Sequence, residues 1–516
     1  MKLKKIVSLV LVCILAVSLL SGCGEEKIES TLNLDPAEFS ETNGVKLPIT
    51  EKGEIIEIMT NGSVEGLDNK LFAQAVKELT GIELKITVVP ASNYASKLQM
   101  MLSSKQLPDI FDCTLNRSDL EMLAKNGALV NFSKMGKELP NISEVFLNNE
   151  ENMKLAANLV VDGDLFVVPG YNIARDINHG FMYRKDIFDK HGIKLWTNTE
   201  EFYQALKKLK EIYPDSVPFT SKNKDGLIGR LAPGWGFSDV KVTKYKGEGD
   251  YIYAGTHAEM KSLLDFLQKL YSERLLDQEF LTCTDASWSS KMTQEAKSFV
   301  TFDWVDRMDL FYEQIKETNP NYNLSFGNPI GPVGKYTRLS KVGAASLAVS
   351  NNDKAEISAK LVDFLMSPAG AKLATLGIKG TTYDEVDGKV QYKLPEGKLA
   401  NINTLQEEYG LFTQSIALRF DPTCVYYQFT PHVQEAQDMV INNNLLTETA
   451  PAPIVIKSEL VDEYNSISNE LSTKFSEFAS KYIVADSASL DGMWNAWVAQ
   501  ANQLGAERIV EIANTK

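Results

Sequence analysis

Asp303-Trp304-Val305-Asp306-Arg307 concentrates the side chains that could hold a polyhydroxylated ligand. It follows Phe299-Val300-Thr301-Phe302, which reads as a strand, so Asp303, Trp304 and Arg307 are expected on a loop at its carboxyl end. Ligands gather there in α/β sheets. An indole offers an apolar face to the C–H side of a sugar ring, while carboxylate and guanidinium groups fix hydroxyls. The plainer alternative is a core tryptophan among solvated charges. Gly234-Trp235-Gly236 suits an exposed ring between glycines, and Tyr171 with Asn172 and Arg175 has a similar make-up. Arg117, Arg175, Arg230, Arg307 and Arg338 fall in expected loops or connections. Arginine pairs bidentately with carboxylate, so an acidic sugar such as an oligogalacturonide is one candidate, with solvated arginines as the alternative. Trp196, Trp494 and Trp497 read as core.

Signals for other chemistry are poor. No Gly-x-Ser-x-Gly or His-Glu-x-x-His occurs, and the only histidines are His179, His191, His257 and His432. Gly334-Lys335-Tyr336-Thr337 is no phosphate loop, because Pro329 stands where the first glycine is required. No cofactor and no metal is expected. A glycosidase needs only two carboxylates, so a carbohydrate hydrolase stays as an alternative. Cys113, Cys283 and Cys424 are widely spaced and match no zinc pattern; they read as buried free thiols, or as one bridge and one thiol.

The elements that must position these groups begin at Glu54. Ile55–Met59 reads as a strand and Leu67–Leu79 as a helix stopped by Gly81, with an alternating strand from Ile82 to Val88. This βαβ unit predicts an α/β fold with a parallel sheet. Ser92 is the expected cap of the next helix, Asp109–Cys113 the next strand, and Asp119–Asn126 another helix. That order puts Asn61, Asp112, Asn116 and Arg117 on one rim. A second region opens near Tyr171. It has a strand at Phe181–Tyr183, a helix capped by Thr199 and ended by Pro214, and a helix at Glu259–Tyr271. Gly331–Gly334 reads as an interdomain connection, Val342–Val349 as a strand, and Thr381–Lys393 as a hairpin around Gly388.

Length and charge bound the rest. With 516 residues, 44% hydrophobic and 23% charged, the chain is globular and large enough for two or three domains. Lys2, Lys4 and Lys5 precede an apolar run, Ile6 to Leu20, that is short for a membrane span and reads as an export signal. Removing residues 1–22, which carry those three lysines and no acid, takes the net charge from −15 to −18. A field of that sign disfavours nucleic acid. Leu20-Ser21-Gly22-Cys23 resembles the lipobox of bacterial lipoproteins, which implies acylation of Cys23, an extracytoplasmic location on the outer face of the cytoplasmic membrane and a lipid tether. Residues 23–52 read as a flexible, acidic spacer.

Five stretches, in order, resemble the extracellular solute-binding proteins of bacterial carbohydrate ABC importers. They are Lys97–Asp109, Tyr183-Arg184-Lys185-Asp186, Asn328–Pro332 with Gly334-Lys335, Leu376–Gly380 with Tyr383, and Asp491–Trp494. The resemblance is to the large Gram-positive lipoprotein subgroup and covers residues 53–510. It implies a two-lobe, periplasmic-binding-protein-like fold of type II, with discontinuous lobes joined by a hinge. Lobe one would be 53–172 with 337–380, and lobe two 173–336 with 381–516. It further implies a sugar or oligosaccharide held between lobes, no catalysis, and a monomer that docks on permease subunits driven by a cytoplasmic ATPase. By the resemblance, maltodextrin-type proteins place a stacking tryptophan near Trp304, and related proteins use polar loop residues on the ligand where Asn116-Arg117 falls. A peptide or other small-solute receptor is the alternative within the same class. Many subgroup members carry a calcium loop before the stretch matching Pro218-Phe219-Thr220. Here Tyr213–Val217 offers one aspartate, too few oxygen ligands for calcium.

Overall fold

The computed structural model describes residues 32 and 34–515, except 173, 174, 223, 388, 399 and 425–430. Cys23, the signal-like run and Gly388 lie outside these. Residues 36–516 form one compact unit. Its principal strands are β1 (Glu54–Asn61), β2 (Ile82–Val89), β3 (Ile110–Asp112), β4 (Val167–Tyr171), β5 (His179–Arg184), β6 (Val300–Trp304), β7 (Leu324–Phe326) and β8 (Val342–Val349).

Between β1 and β2 the helix Leu71–Thr80 buries Phe72, Ala75, Val76 and Leu79, the face its spacing predicts. It ends at Gly81, whose φ of 74° is left-handed, and a Cβ there would sit 1.8 Å from Thr50 O. Only glycine fits. The first sheet runs β2-β1-β3-β8-β4. β1, β2 and β3 are parallel; β8 is antiparallel to β3, with Leu347 opposite Asp112, and to β4, with Val342 opposite Tyr171. The carboxyl ends of β1 to β4 therefore share one rim.

A second sheet runs β6-β5-β7, all antiparallel, with Trp304 opposite His179 and Phe326 opposite Met182. Residues 172–178 lead from Tyr171 straight to His179, and 327–341 lead from β7 to β8. The edge holding His179 and Trp304 therefore borders the same crossovers as the rim of the first sheet. Each sheet has its own core. One contains Met59, Tyr94, Leu98, Phe111, Leu120 and Phe166; the other contains Phe181, Trp196, Phe202, Leu263, Phe302 and Trp497. Two α/β lobes result.

The structure differs from several expectations. Residues 381–424 pack on the first lobe: Tyr392 Oη donates to Thr375 O at 2.8 Å, Phe412 N to Ala374 O at 2.8 Å, and Thr60 Oγ1 to Gln414 O at 2.8 Å. A two-stranded ribbon such as Tyr383–Val386 with Lys389–Tyr392 is marginal alone, and this one docks on the helix just before it in the chain. Only the helices from Pro431 onward join the second core. Part of the expected spacer is docked as well: Phe39 is fully buried, and Ala369 N donates to Glu41 O at 3.0 Å. Asn198, not Thr199, caps the helix Thr199–Ile212, its side chain accepting from Glu201 N; Pro90, not Ser92, precedes the helix Ala91–Ser104. Cys113, Cys283 and Cys424 are free and buried.

Candidate ligand cleft

On the first-lobe rim, β1 and β3 deliver Asn61 and Asp112 side by side, and Asn61 Nδ2 donates to Asp112 Oδ2. Tyr94 Oη lies 3.1 Å from Met59 O and 2.8 Å from Asp112 O, tying the two strand ends together from beneath. Burial raises the Asp112 pKa, opposed by the nearby Ser415 hydroxyl and the hydrogen bond from Asn61. Asn116 and Arg117 are spent on local structure. Asn116 Oδ1 caps its helix by accepting from Asp119 N at 2.9 Å, and Arg117 pairs with Glu121 at 2.6 Å and donates to Val160 O.

The crossover holds Tyr171 and Arg175. Tyr171 meets Phe146 edge-on, and the Arg419 guanidinium carbon lies 5.9 Å from its ring centroid. Arg175 Nη1 donates to Asn178 Oδ1 at 3.1 Å; burial lowers its pKa while Asp306 opposes the shift. Asn178 O in turn accepts from Val305 N at 3.0 Å, which fixes the crossover to the end of β6.

The second-lobe rim brings the most together. Asp303 and Trp304 are the last residues of β6 rather than a loop, and Arg307 opens the following helix, Arg307–Ile315. The ladder extends that far because Trp304 still pairs with His179. Strand alternation then sends Asp303 inward, fully buried, and leaves Trp304 39% exposed. Asp303 Oδ1 accepts from Trp304 N at 2.7 Å and Oδ2 from Arg230 Nη1 at 3.2 Å. Lys222 Nζ stands 3.5 Å from Oδ2, and Arg307 Nε 3.4 Å from Oδ1. Lys222 Nζ also lies 4.8 Å over the Trp288 ring. The Trp304 and His179 rings sit 4.2 Å apart at 48°. Burial, reinforced by Arg230, pushes the His179 pKa down to about 4, so its ring is neutral at pH 7.

Trp235 does not belong here. It is 2% exposed in the second core, its indole 5.8 Å from Phe266. The flanking glycines serve close packing: a Cβ on Gly234 would sit 1.9 Å from Ile330 O. Sequence reasoning missed Lys222, His179, Trp288 and Ser415. Lys222 reaches Asp303 from 81 residues away, and no local pattern announces such a pair.

The Tyr213–Thr220 turn stands where the resemblance implies a calcium loop in many subgroup members. Lys210 Nζ donates to Ser216 O at 2.6 Å and Lys297 Nζ to Asp215 O at 3.3 Å. Two ammonium groups already face its carbonyls, so a cation does not fit there.

Two α/β lobes that turn their functional rims toward shared crossovers define the class of two-lobed binding proteins. The chain belongs to the bacterial extracellular solute-binding protein family, whose profile matches residues 62–372. Lipoprotein LipO of Bacillus subtilis (strain 168) is 24% identical over 440 residues, covering 80% of this chain and 82% of the relative. The polygalacturonan/rhamnogalacturonan-binding protein YtcQ of the same strain is 22% identical over 327 residues, covering 61% of this chain and 64% of the relative. Among solved structures, alginate-binding protein AlgQ2 without calcium ion is similar with a TM-score of 0.66 at 20% identity, over 90% of this chain and 98% of that one. An extracellular solute-binding protein from Bifidobacterium longum subsp. infantis gives a TM-score of 0.71 at 16% identity, with the same coverage of 90% and 98%. The fold is the two-lobe, periplasmic-binding-protein-like one that the resemblance implies.

Proposed function

We propose that this protein is the lipid-tethered binding subunit of an ABC importer and captures a sugar or oligosaccharide between its lobes, unchanged, as a monomer. The observation that carries this reading is Trp304, an indole left exposed at the end of an otherwise buried strand beside fixed donors and acceptors. Asn61 and Asp112 would meet the ligand from the first lobe, Tyr171 and Arg175 from the crossover, and Trp304 and Arg307 from the second lobe. Asp303 would position the cations around it. Family membership supports capture over turnover. The ligands named for YtcQ and AlgQ2 support a saccharide. A relative named as a lipoprotein and the Leu-Ser-Gly-Cys run support acylation of Cys23 and a place on the outer face of the cytoplasmic membrane.

A ligand that binds only the native state raises its melting temperature by mass action. Neutral and uronic oligosaccharides, screened by thermal shift and then calorimetry, should include at least one that stabilises the protein and is recovered intact. A cleaved product whose formation Asp112→Asn abolishes would make the protein a hydrolase. Stabilisation by peptides and by no glycan would make it a receptor for another solute. Cys23→Ala should leave the protein unlipidated, with its signal poorly processed, as mass spectrometry of the membrane fraction would read.

A further inference from the structure

The second-lobe rim holds more positive charge than its structure needs. Asp303 is fully buried, and a buried carboxylate must be hydrogen-bonded. Trp304 N at 2.7 Å and Arg230 Nη1 at 3.2 Å meet that need, one on each oxygen. Arg307 Nε adds a long hydrogen bond to Oδ1 at 3.4 Å, and Lys222 at 3.5 Å stands beyond good hydrogen-bond distance yet close enough to share the same charge. Three cations around one carboxylate repel one another, and satisfying Asp303 does not require all three. The Lys222, Arg230 and Arg307 side chains are 13%, 21% and 28% exposed, so the surplus faces solvent. Among the described residues the Arg307 η nitrogens have no hydrogen-bond partner.

Among the described residues, the neighbouring acids leave that surplus in place. Asp285 lies 3.7 Å from Lys222, but its side chain is 82% exposed and the contact is solvent-screened. Asp306 acts on Arg175, and Asp309 pairs with His432 at 3.0 Å. Arg307 also begins a nine-residue helix, whose amino end adds a partial positive charge. The His179 pKa, depressed chiefly by burial, is lowered further by Arg230, Lys222 and Arg307 and raised only in part by Asp303, in keeping with that local field. All this occurs on a chain of net charge −15.

Building on the saccharide reading above, we infer that this rim is a carboxylate subsite for a uronic-acid residue. Its ring would pack on Trp304, and its carboxylate would lie on Arg307 with Lys222 and Arg230. The buried Asp303 preorganises these cations, so little side-chain entropy is lost on binding. The paired neutral rings of Trp304 and His179 supply the apolar face. Neutral sugars lack the group for which the cations are arranged.

The test is calorimetry on the purified full chain with trimers of galacturonate, glucuronate, mannuronate and guluronate, each beside its methyl ester. Esterification keeps the ring and its stereochemistry and removes the charge. At least one free acid should bind at least tenfold more tightly than its ester. Arg307→Gln and Lys222→Met should each weaken that acid by about ten- to hundredfold, as expected for a charged hydrogen bond, and weaken the ester by less, so that the preference for acid over ester shrinks. Both side chains are partly exposed, so melting temperatures should hold. An ester or neutral glycan that binds as tightly as every acid overturns the inference and leaves saccharide capture standing. Wild-type uronate affinity in both variants also overturns it. If no glycan of either kind binds, both readings fall.

Discussion

Removing the indole at Trp304 and at Trp235 should give opposite phenotypes. Trp304→Ala should weaken glycan binding by roughly ten- to a hundredfold in calorimetry with little change in melting temperature, because stacking supplies about 0.5–1.5 kcal/mol and the apolar area the ring buries against the sugar adds to it. Trp235→Ala should cost about 3–5 kcal/mol of folding stability in denaturant titration, as large core truncations do. His179 makes a pH prediction. Its native pKa of about 4 lies below the ordinary histidine value, so the unfolded chain binds its proton first. The neutral native ring keeps its full contribution above the unfolded pKa of about 6.5, and that contribution is lost as pH falls toward 4. Melting temperature should therefore drop less steeply across that window in His179→Gln than in wild type. Asp112 works in the other sense, because its raised pKa makes protonation relieve a native-state cost as pH falls. Little of this was legible in sequence beyond the residue types. Trp235 between glycines looked exposed, because a glycine that admits a neighbouring backbone is indistinguishable from one that loosens a loop.

Among the elements, the Tyr213–Thr220 turn carries its own cations. Lys210 Nζ bonds Ser216 O at 2.6 Å from the end of the preceding helix. Lys210→Met should lower the melting temperature by removing a partner from the turn, while added calcium or EDTA should leave it unchanged in the wild type. A calcium-dependent rise in stability would show that the lysines yield to a metal. Helix stops were readable because glycine at a left-handed residue is a local requirement, as Gly81 shows at φ 74°. Helix starts slipped by a residue or two, since Asn198 and Thr199 are both good caps and only geometry chooses between them. The end of β6 slipped for another reason. Whether Asp303 and Trp304 stay in the ladder depends on His179, which a strand's own sequence does not reveal.

At the scale of the whole molecule, the βαβ units were legible and the interleaving was not. Long-range pairing such as β8 between β3 and β4 leaves no periodic trace, so that part rested on family resemblance. Even resemblance misplaced 381–424, whose attachment to the first lobe depends on docking the ribbon. A hydrogen bond joins the lobes away from the crossovers: Ser458, in a segment packed with the second core, donates to Glu121 on the first-lobe helix Arg117–Lys125. It favours the conformer in which the lobes touch. Ser458→Ala should therefore weaken ligand binding by up to about tenfold, the worth of about 1 kcal/mol, without changing the melting temperature of the unliganded protein. Calorimetry and scanning calorimetry on the same variant check both halves. The three interior cysteines bear on how such motion can be watched. Burial pushes the Cys113 thiol up to about 12 and raises Cys283 and Cys424 as well, so none offers a reactive thiolate near neutral pH. If Cys23 is acylated and Cys13 leaves with the signal, as proposed, the mature chain is a silent background for maleimide dyes. One new cysteine on the outer surface of each lobe would give a fluorescence ruler for closure, with no native residue replaced beyond those two.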